Sequence, residues 1–193
     1  MEESFQRRIL KRIGRKLRLP MKLFLMLFFD KKYLCGRHFE ESMAGYFWAF
    51  ASIWHRSIFR LAPPLPFPVN SRAYVSNPKN VEFHPDDLNN FQSSGIYLQN
   101  FAAKISLGRG CYIAPNVGMI TANHDPHNLD VHLPGNAIIL GEGCWIGMNS
   151  VLLSGVTLGD RTIVGAGSVV TKSFPSGYCV IAGNPAKMVR KLE

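Results

Sequence analysis

Aliphatic side chains recur at every sixth position through the second half of the chain. The positions in this phase are Leu140, Ile146, Leu152, Leu158, Val164 and Val170. Four residues after each comes one that is mostly small or β-branched: Cys144, Ser150, Val156, Thr162, Ser168 and Phe174. The phase extends back to Phe101, Leu107 and Ile113, with a fainter trace at Val75 and Val81. A repeat this regular predicts stacked structural units.

A period of six has a direct structural meaning. Three short strands complete one triangular turn, in which the aliphatic residue points into a narrow prism and the small residue allows a tight corner. Successive turns pair edge to edge and share one hydrophobic core. A β-sandwich, whose strands alternate with period two, would not keep this phase from residue 140 to 174. The pattern therefore predicts an all-β fold, a parallel β-helix of hexapeptide repeats.

The positive charge of the chain is concentrated at one end. Residues 1–60 hold 13 Lys/Arg and 5 Asp/Glu, a net charge of +8, whereas residues 61–193 hold 9 and 8, a net charge of +1. The repeat region is therefore almost neutral. Because no recognised nucleic-acid-binding motif accompanies the basic segment, we do not expect a nucleic acid partner.

The N-terminal segment alternates basic and apolar residues. Ile9, Leu10, Ile13 and Leu17 recur at helical spacing among Lys and Arg, which predicts a basic amphipathic helix. The apolar runs that follow are shorter than the ~20 residues of a membrane span, and no cleavage site of a signal peptide follows them. We expect a cytoplasmic protein whose segment 1–61 contacts the cytoplasmic face of a membrane. The alternative is a helical cap packed on the main domain.

Three segments follow from these patterns. Residues 1–61 form the helical N-terminal segment, residues 62–71 form a proline-rich linker that includes "APPLPFPV", and residues 72–193 form the repeat domain. The hexad phase is lost before Leu140, which predicts a loop at 121–138 that leaves the coil. Four widely spaced cysteines without a C-x-x-C motif predict free thiols.

The repeat, the run at 139–175 and the sequence "AGNPAK" at 182–187 resemble the hexapeptide-repeat acyltransferases. Within that family the chain is most similar to galactoside, maltose and xenobiotic O-acetyltransferases. The stretch "FHPDDLNNFQS" at 83–93 is similar to acetyltransferases of bacterial capsule and exopolysaccharide synthesis. The resemblance covers about residues 72–191. It implies a left-handed coil, acetyl-CoA as the donor, and a homotrimer with the active site between neighbouring coils.

The interrupting loop carries the candidate catalytic residues. In the family, the histidine after "T-x-N/G" that follows "IAPNV" is the catalytic base, and "IAPNVGMITANHD" at 113–125 puts His124 there. An imidazole with a reference pKa of about 6.5 can take the proton of an acceptor hydroxyl. Asp125 is the second catalytic candidate, since it could orient the imidazole or simply turn the chain.

His127 and His132 are spaced like metal-binding histidines of the related γ-class carbonic anhydrases. In those enzymes the pair lies within the regular repeat, but here it lies in the loop and the coil supplies no third histidine at a suitable phase. No metal is therefore predicted, and solvated histidines or contacts to the acceptor are the expected roles.

The resemblance also implies donor and acceptor contacts. The acetyl-CoA contacts fall at Trp145, Ala166, Thr171, Lys172, Lys187 and Arg190, whose cations suit the phosphates. Packing of Trp145 and an ordinary basic tail are the structural alternatives. Met148 replaces a serine of the galactoside enzymes, which removes one donor contact.

Asn100 and Asn123 are the acceptor-binding candidates. Asn100 belongs to an Asn-Phe pair that helps to hold the sugar in the galactoside enzymes. The acidic residue that follows in those enzymes has no counterpart in "NFAAKISLG" at 100–108, so we expect a different acceptor. Asp86 and Asp87 are further candidates, with a turn or cap as the alternative.

These observations predict an O-acetyltransferase that moves an acetyl group from acetyl-CoA to a hydroxyl of a saccharide or glycoconjugate. Two other interpretations stay open. One is a membrane-associated β-helix scaffold without catalysis, and the other is a metalloprotein like the γ-carbonic anhydrases. His124 and the basic residues near the C-terminal end of the repeat favour the transferase.

Overall fold

A computed structural model describes residues 17–193, and the first described helix, α1, covers 17–25. The basic helix predicted from Ile9 onward lies outside the described residues except at its end. Two further helices follow, α2 (Arg37–Glu40) and α3 (Ala44–Ser52), and α3 continues as π-helix over Ile53–Ile58. Single turns and a longer run of 3-10 helix cover Lys31–Tyr33, Pro78–Asn80 and Pro85–Gln92.

The repeat region folds into three parallel sheets that form the sides of a prism. The first sheet contains β1 (Tyr74–Val75), β3 (Tyr97–Gln99), β6 (Gly118–Ile120), β11 (Val151–Leu152) and β14 (Val169–Val170). The second contains β2 (Val81–Glu82), β4 (Ile105–Leu107), β9 (Ile138–Leu140) and β12 (Thr157–Leu158). The third contains β5 (Tyr112–Ile113), β10 (Trp145–Ile146), β13 (Ile163–Val164), β15 (Cys179–Gly183) and β16 (Ala186–Lys191), of which β16 alone pairs antiparallel. The chain visits the three sheets in turn, so the predicted parallel β-helix is confirmed.

Burial of the hexad confirms the predicted inward face. The aliphatic residues of the phase from Leu140 to Val170 are all buried. Phe101, which the pattern placed in the same phase, is exposed, so that prediction was wrong. Leu98 of β3 and Leu107 of β4 pair in register with Met119 and Leu140, but they are nine positions apart where the repeat would have six. The three extra residues put Phe101 outside the prism.

The turns of the coil approach each other closely enough to require glycine at some corners. A Cβ at Gly147 would lie 2.6 Å from the backbone nitrogen of Ala166 in the next turn. Backbone atoms cannot move aside as the end of a flexible side chain can. The small residues of the repeat therefore set the spacing between turns.

The N-terminal helices pack on the first turn of the coil. Leu25, Leu34 and Phe39 are buried in the same hydrophobic core as the interior of the prism. Asp86 ties the two parts together, because it accepts a hydrogen bond from the backbone N–H of Arg37 at 2.7 Å and from the guanidinium of Arg109 at 2.9 Å. The cap that the sequence left open as an alternative is thus present in the described residues.

The proline-rich segment 62–71 differs from the expected linker. It has no helix or strand, but Leu65, Phe67 and Val69 are buried. The buried Arg56 donates hydrogen bonds from its guanidinium to the carbonyls of Pro63 and Asn70. The segment is therefore part of the core, because alternate apolar residues among its prolines give it an inward face.

Among residues 17–193, no helix has the length and apolar character to cross a membrane.

Candidate active site

The loop that interrupts the repeat leaves the coil between β6 and β9, at the corner joining the first and second sheets. Within it, β7 (His124–Asp125) and β8 (Asn128–His132) form an antiparallel hairpin. Its base is fixed at Thr121, whose carbonyl accepts hydrogen bonds from the Ser154 hydroxyl at 2.7 Å and from the Asn136 N–H at 2.9 Å. The coil resumes at the buried Ile138, so a rigid scaffold holds both ends of the hairpin.

His124 lies at the start of the hairpin with its ring exposed and oriented. Its Nδ1 lies 2.6 Å from the carbonyl oxygen of Leu129 on the opposite strand. A carbonyl oxygen only accepts hydrogen bonds, so this contact assigns the proton of a neutral imidazole to Nδ1. The lone pair of Nε2 is then available to accept a proton, the arrangement that a general base needs.

His132 is the neighbour of His124 across the hairpin. The two strands pair these residues directly, and their ring centroids lie 4.2 Å apart. The other side of His132 contacts Phe101, edge to face, at 5.1 Å. The hairpin therefore packs against the coil through the contact between His132 and Phe101. Because His132 also contacts His124, this packing restricts the ring of His124.

Asp125 has a different local role from the one proposed for catalysis. Its Oδ1 accepts a hydrogen bond from the backbone N–H of His127 at 2.8 Å, which closes the turn of the hairpin. The Leu129 carbonyl, and not this carboxylate, contacts the Nδ1 of His124. The geometry favours the turn-forming alternative, and a part of Asp125 in catalysis stays a prediction.

The two asparagines proposed for the acceptor occupy opposite environments. Asn100 is 0% exposed, and its amide is bonded to the backbone N–H and carbonyl of Asn77 and to the hydroxyl of Ser76. Asn123 is exposed beside His124, and its carbonyl accepts from the N–H of Leu133 at 2.8 Å. Asn123 can therefore reach a ligand in this conformation, whereas the geometry of Asn100 favours a role inside the coil.

The residues predicted to contact the donor fall into two groups on one chain. Thr171 and Lys172 directly follow β14, at the same corner as the hairpin, and both are exposed. Ala166 belongs to the second group and lies between β13 and β14, at the corner where the third sheet meets the first. The remaining candidates, Trp145, Lys187 and Arg190, are exposed residues of the third sheet. The first sheet thus separates the two groups.

Asp86 and Asp87 of "HPDDLNN" make hydrogen bonds that hold neighbouring segments of the fold together. The backbone N–H of Arg37 and the guanidinium of Arg109 hold the pKa of Asp86 below its usual value, against a smaller effect of burial. Burial raises the pKa of Asp87, although its carboxylate accepts the N–H of Gly110 at 2.8 Å. Both therefore take the structural role that was the alternative to acceptor binding.

The His, Cys, Asp and Glu side chains of the described residues form neither a metal site nor a cluster of accessible thiols. No group of three or more His, Cys, Asp or Glu side chains is arranged to hold a metal ion within residues 17–193. The cysteines are free, and Cys111, Cys144 and Cys179 are buried. The neighbouring Cys144 and burial raise the pKa of Cys111, so that thiol stays protonated and unreactive.

Sequence reasoning missed two parts of this site. The partner that orients His124 is a backbone carbonyl, which every residue type has, so the amino-acid sequence does not reveal it. The tilted contact between the rings of His132 and His124 was missed because the loop was not predicted to be a hairpin. The alternation of "NLDVH" at 128–132 was the available signal, since polar and apolar residues at period two are typical of a strand.

Comparison with known proteins shows what the repeat region is similar to. Residues 131–172 match the family model described as "Bacterial transferase hexapeptide (six repeats)". A protein of Saccharomyces cerevisiae, provisionally named an acetyltransferase, is 31% identical over 138 residues, which cover 69% of this chain and 63% of that protein. The galactoside O-acetyltransferase of Escherichia coli K12 is 36% identical over 93 residues, which cover 46% of this chain and 45% of the relative.

Part of this chain is also similar to a solved structure. Galactoside acetyltransferase in complex with coenzyme A is 30% identical, with 63% of both chains covered and a TM-score of 0.48. The chain spans between 45% and 63% of the length of the first curated relatives that it matches. The family match and these relatives confirm the resemblance predicted from the sequence: the repeat region of this chain is similar to those of the hexapeptide-repeat acyltransferases.

Proposed function

We propose that the protein is an O-acetyltransferase that moves an acetyl group from acetyl-CoA to a hydroxyl of a saccharide or glycoconjugate. The observation that carries this proposal is the contact between the Nδ1 of His124 and the carbonyl of Leu129. It leaves Nε2 as the basic atom of an exposed imidazole at the corner where Thr171 and Lys172 also lie. The hexapeptide-repeat relatives, named as acetyltransferases, support the same reaction class.

The proposed reaction is direct transfer with His124 as general base. Nε2 takes the proton of the acceptor hydroxyl as its oxygen attacks the carbonyl carbon of the thioester. The tetrahedral intermediate then collapses and the carbon–sulfur bond breaks. The departing CoA thiolate is protonated by the imidazolium, which returns His124 to its neutral form. Neither a nucleophilic Ser nor a Cys is required, because the acetyl group passes straight from donor to acceptor.

A homotrimer is part of the proposal. On one chain the hairpin corner carries His124 and Lys172, while Trp145, Lys187 and Arg190 lie beyond the first sheet. A second copy that placed its third sheet beside the hairpin corner of the first would bring the two groups together. The left-handed coil that the resemblance implies belongs to the same proposal.

The acceptor is proposed to be a sugar. Relatives of this chain are named for galactoside acetylation and, provisionally, for colanic acid biosynthesis. The exposed Asn123 beside His124 could orient an acceptor hydroxyl through its amide. Because Asn100 is buried, recognition of the sugar in this chain would rely on the hairpin more than on the Asn-Phe pair.

The proposal is tested by measuring release of the CoA thiol from acetyl-CoA with a panel of sugars and oligosaccharides. Replacing His124 by Ala is expected to lower kcat by about 10²–10⁴-fold, the usual contribution of a general base. His127→Ala is the matched control, since His127 is an exposed histidine of the same hairpin turn, and it should keep its activity. Equal activity of the wild type and His124→Ala would overturn the assignment of the base.

Donor binding is tested separately by calorimetry with acetyl-CoA. The Lys187→Ala/Arg190→Ala variant should bind more weakly, because two exposed cations that suit the phosphates are lost. The control is Arg72→Ala/Lys79→Ala, which removes two exposed cations from the first turn of the coil. Absence of binding by the folded wild type would refute the transferase and favour the scaffold interpretation.

A further inference from the structure

The N-terminal helices leave a continuous row of apolar side chains in solvent. Leu27, in the turn that follows α1, is 77% exposed. On the adjoining helix, Phe47 is 71% exposed and Trp54 is 52% exposed, two turns apart on the same side. The rings of Phe24 and Phe50 stack with their centroids 6.1 Å apart and connect the two helices. The outer apolar face is defined as Leu23, Phe24, Leu27, Phe47, Phe50 and Trp54.

The opposite sides of the same helices are fixed in the core. Leu25 and Phe29 on the α1 side, and Ala49 and Ile53 on the α3 side, are buried in the cluster that continues into the prism. The position of the outer apolar face is therefore set by packing against the coil. This face is not needed to hold the helices in place, so its apolar character calls for another explanation.

Charge around the outer apolar face is positive. The sequences of α1 and of 44–58 contain no Asp or Glu. Lys31, Lys32 and Arg60 are exposed just beyond the helix ends, as are the acidic Asp30, Glu40 and Glu41. Over residues 17–60 the chain holds seven Lys/Arg against three Asp/Glu, so the balance is positive. The sequence 1–16, which leads directly into α1, adds six Lys/Arg against two Asp/Glu. The surroundings of this face thus complement an anionic surface and would be repelled by a cationic one.

We infer that the outer apolar face docks on the surface of a bilayer that contains anionic lipid. Helices with an apolar side and flanking cations lie in the plane of the interface, where the apolar side chains enter the acyl boundary and the cations meet the headgroups. Trp and Phe suit this depth, because aromatic rings concentrate at the interface. No described helix could span the bilayer, which is consistent with a surface position.

The test is flotation of the full-length protein with vesicles, which needs no acetyl transfer and is therefore independent of the proposed activity. Vesicles of neutral phosphatidylcholine are compared with vesicles carrying about one-third phosphatidylglycerol, an anionic lipid. The wild type should float with the anionic vesicles and be released by high salt. Leu27→Glu/Phe47→Glu should lower the vesicle partition coefficient by more than about tenfold, since two apolar anchors are replaced by charges that anionic lipid repels.

The matched control is Tyr74→Glu/Tyr112→Glu, which adds the same two charges at exposed aromatic residues of the coil. It should bind vesicles within about twofold of the wild type, because the change in net charge is equal and the outer apolar face is intact. Sedimentation velocity of each variant verifies that it is folded and assembled. Failure of the wild type to float, or equal loss in both double variants, would overturn the proposal. A smaller assembly of Leu27→Glu/Phe47→Glu, with no vesicle binding by the wild type, would assign the face to contact between copies.

Discussion

Replacing Asn100 by Ala tests whether this asparagine stabilises the fold or binds the acceptor. The Asn100 amide accepts from the Asn77 N–H at 3.0 Å and donates to the Asn77 carbonyl at 2.6 Å. Its oxygen also accepts from the Ser76 hydroxyl at 3.0 Å. Alanine leaves two backbone groups without these partners, at about 1–3 kcal/mol for each group that is fully buried. Because Asn77 is only half-buried, we expect the variant to lose about 2–4 kcal/mol of unfolding free energy.

The assay combines urea unfolding with acceptor kinetics. Asn100→Ala should unfold at lower urea with an unchanged slope, and its folded fraction should show a normal KM for the acceptor. Asn123→Ala is the matched comparison, since this asparagine is exposed beside His124. It should keep the stability of the wild type and raise the acceptor KM. If Asn100→Ala instead kept full stability while its acceptor KM rose tenfold, the argument from burial would be refuted.

Three further predictions follow from the same geometry. His132→Phe keeps a ring against His124 and Phe101, so its kcat should fall far less than that of His124→Ala. His132→Ala removes the ring and should lower kcat by more than His132→Phe. Equal kcat values for the two His132 variants would show that the ring contact has no role. Asp86→Asn should destabilise the protein most above the unfolded pKa of an aspartate, about 4, and progressively less as pH falls below it. A carboxyl whose pKa is lowered by folding stabilises the fold above its unfolded pKa and loses this effect as pH falls through the folded one. Urea unfolding at a series of acidic and neutral pH values measures the difference, and a difference independent of pH would contradict the prediction. A thiol reagent should modify Cys35 first in the native protein, because the other three cysteines are buried, and mass spectrometry of the labelled peptides would reveal any earlier reaction at Cys111 or Cys144.

The repeat was predictable because period six records a geometric requirement at every turn. Each aliphatic position from Leu140 to Val170 must fill the prism, so the sequence repeats what the packing repeats. The prediction for Phe101 failed because three extra residues between β3 and β4 interrupt the six-residue period. Buried apolar residues in the proline-rich segment were overlooked for a related reason, since proline excludes a helix without excluding packing.

The candidate base was predictable by position, but its orientation was not. His124 follows a recognisable sequence, whereas the Leu129 carbonyl that contacts it is common to every residue type. Asn100 shows the converse case. The resemblance assigned it to a sugar, and only the three-dimensional path of the chain shows its amide occupied by Asn77 and Ser76.

The antiparallel strand β16 determines how the coil ends. A parallel β-helix exposes unpaired backbone groups on its terminal turn, and such edges invite pairing with another molecule. In the third sheet β16 folds back on β15 and occupies that edge. At the other end, the guanidinium of Arg56 binds the carbonyls of Asn70 and Ala73 next to β1, beneath the helical layer. Both features reduce the exposed backbone at the ends of the coil, which disfavours end-to-end growth into fibrils and favours assembly of copies side by side.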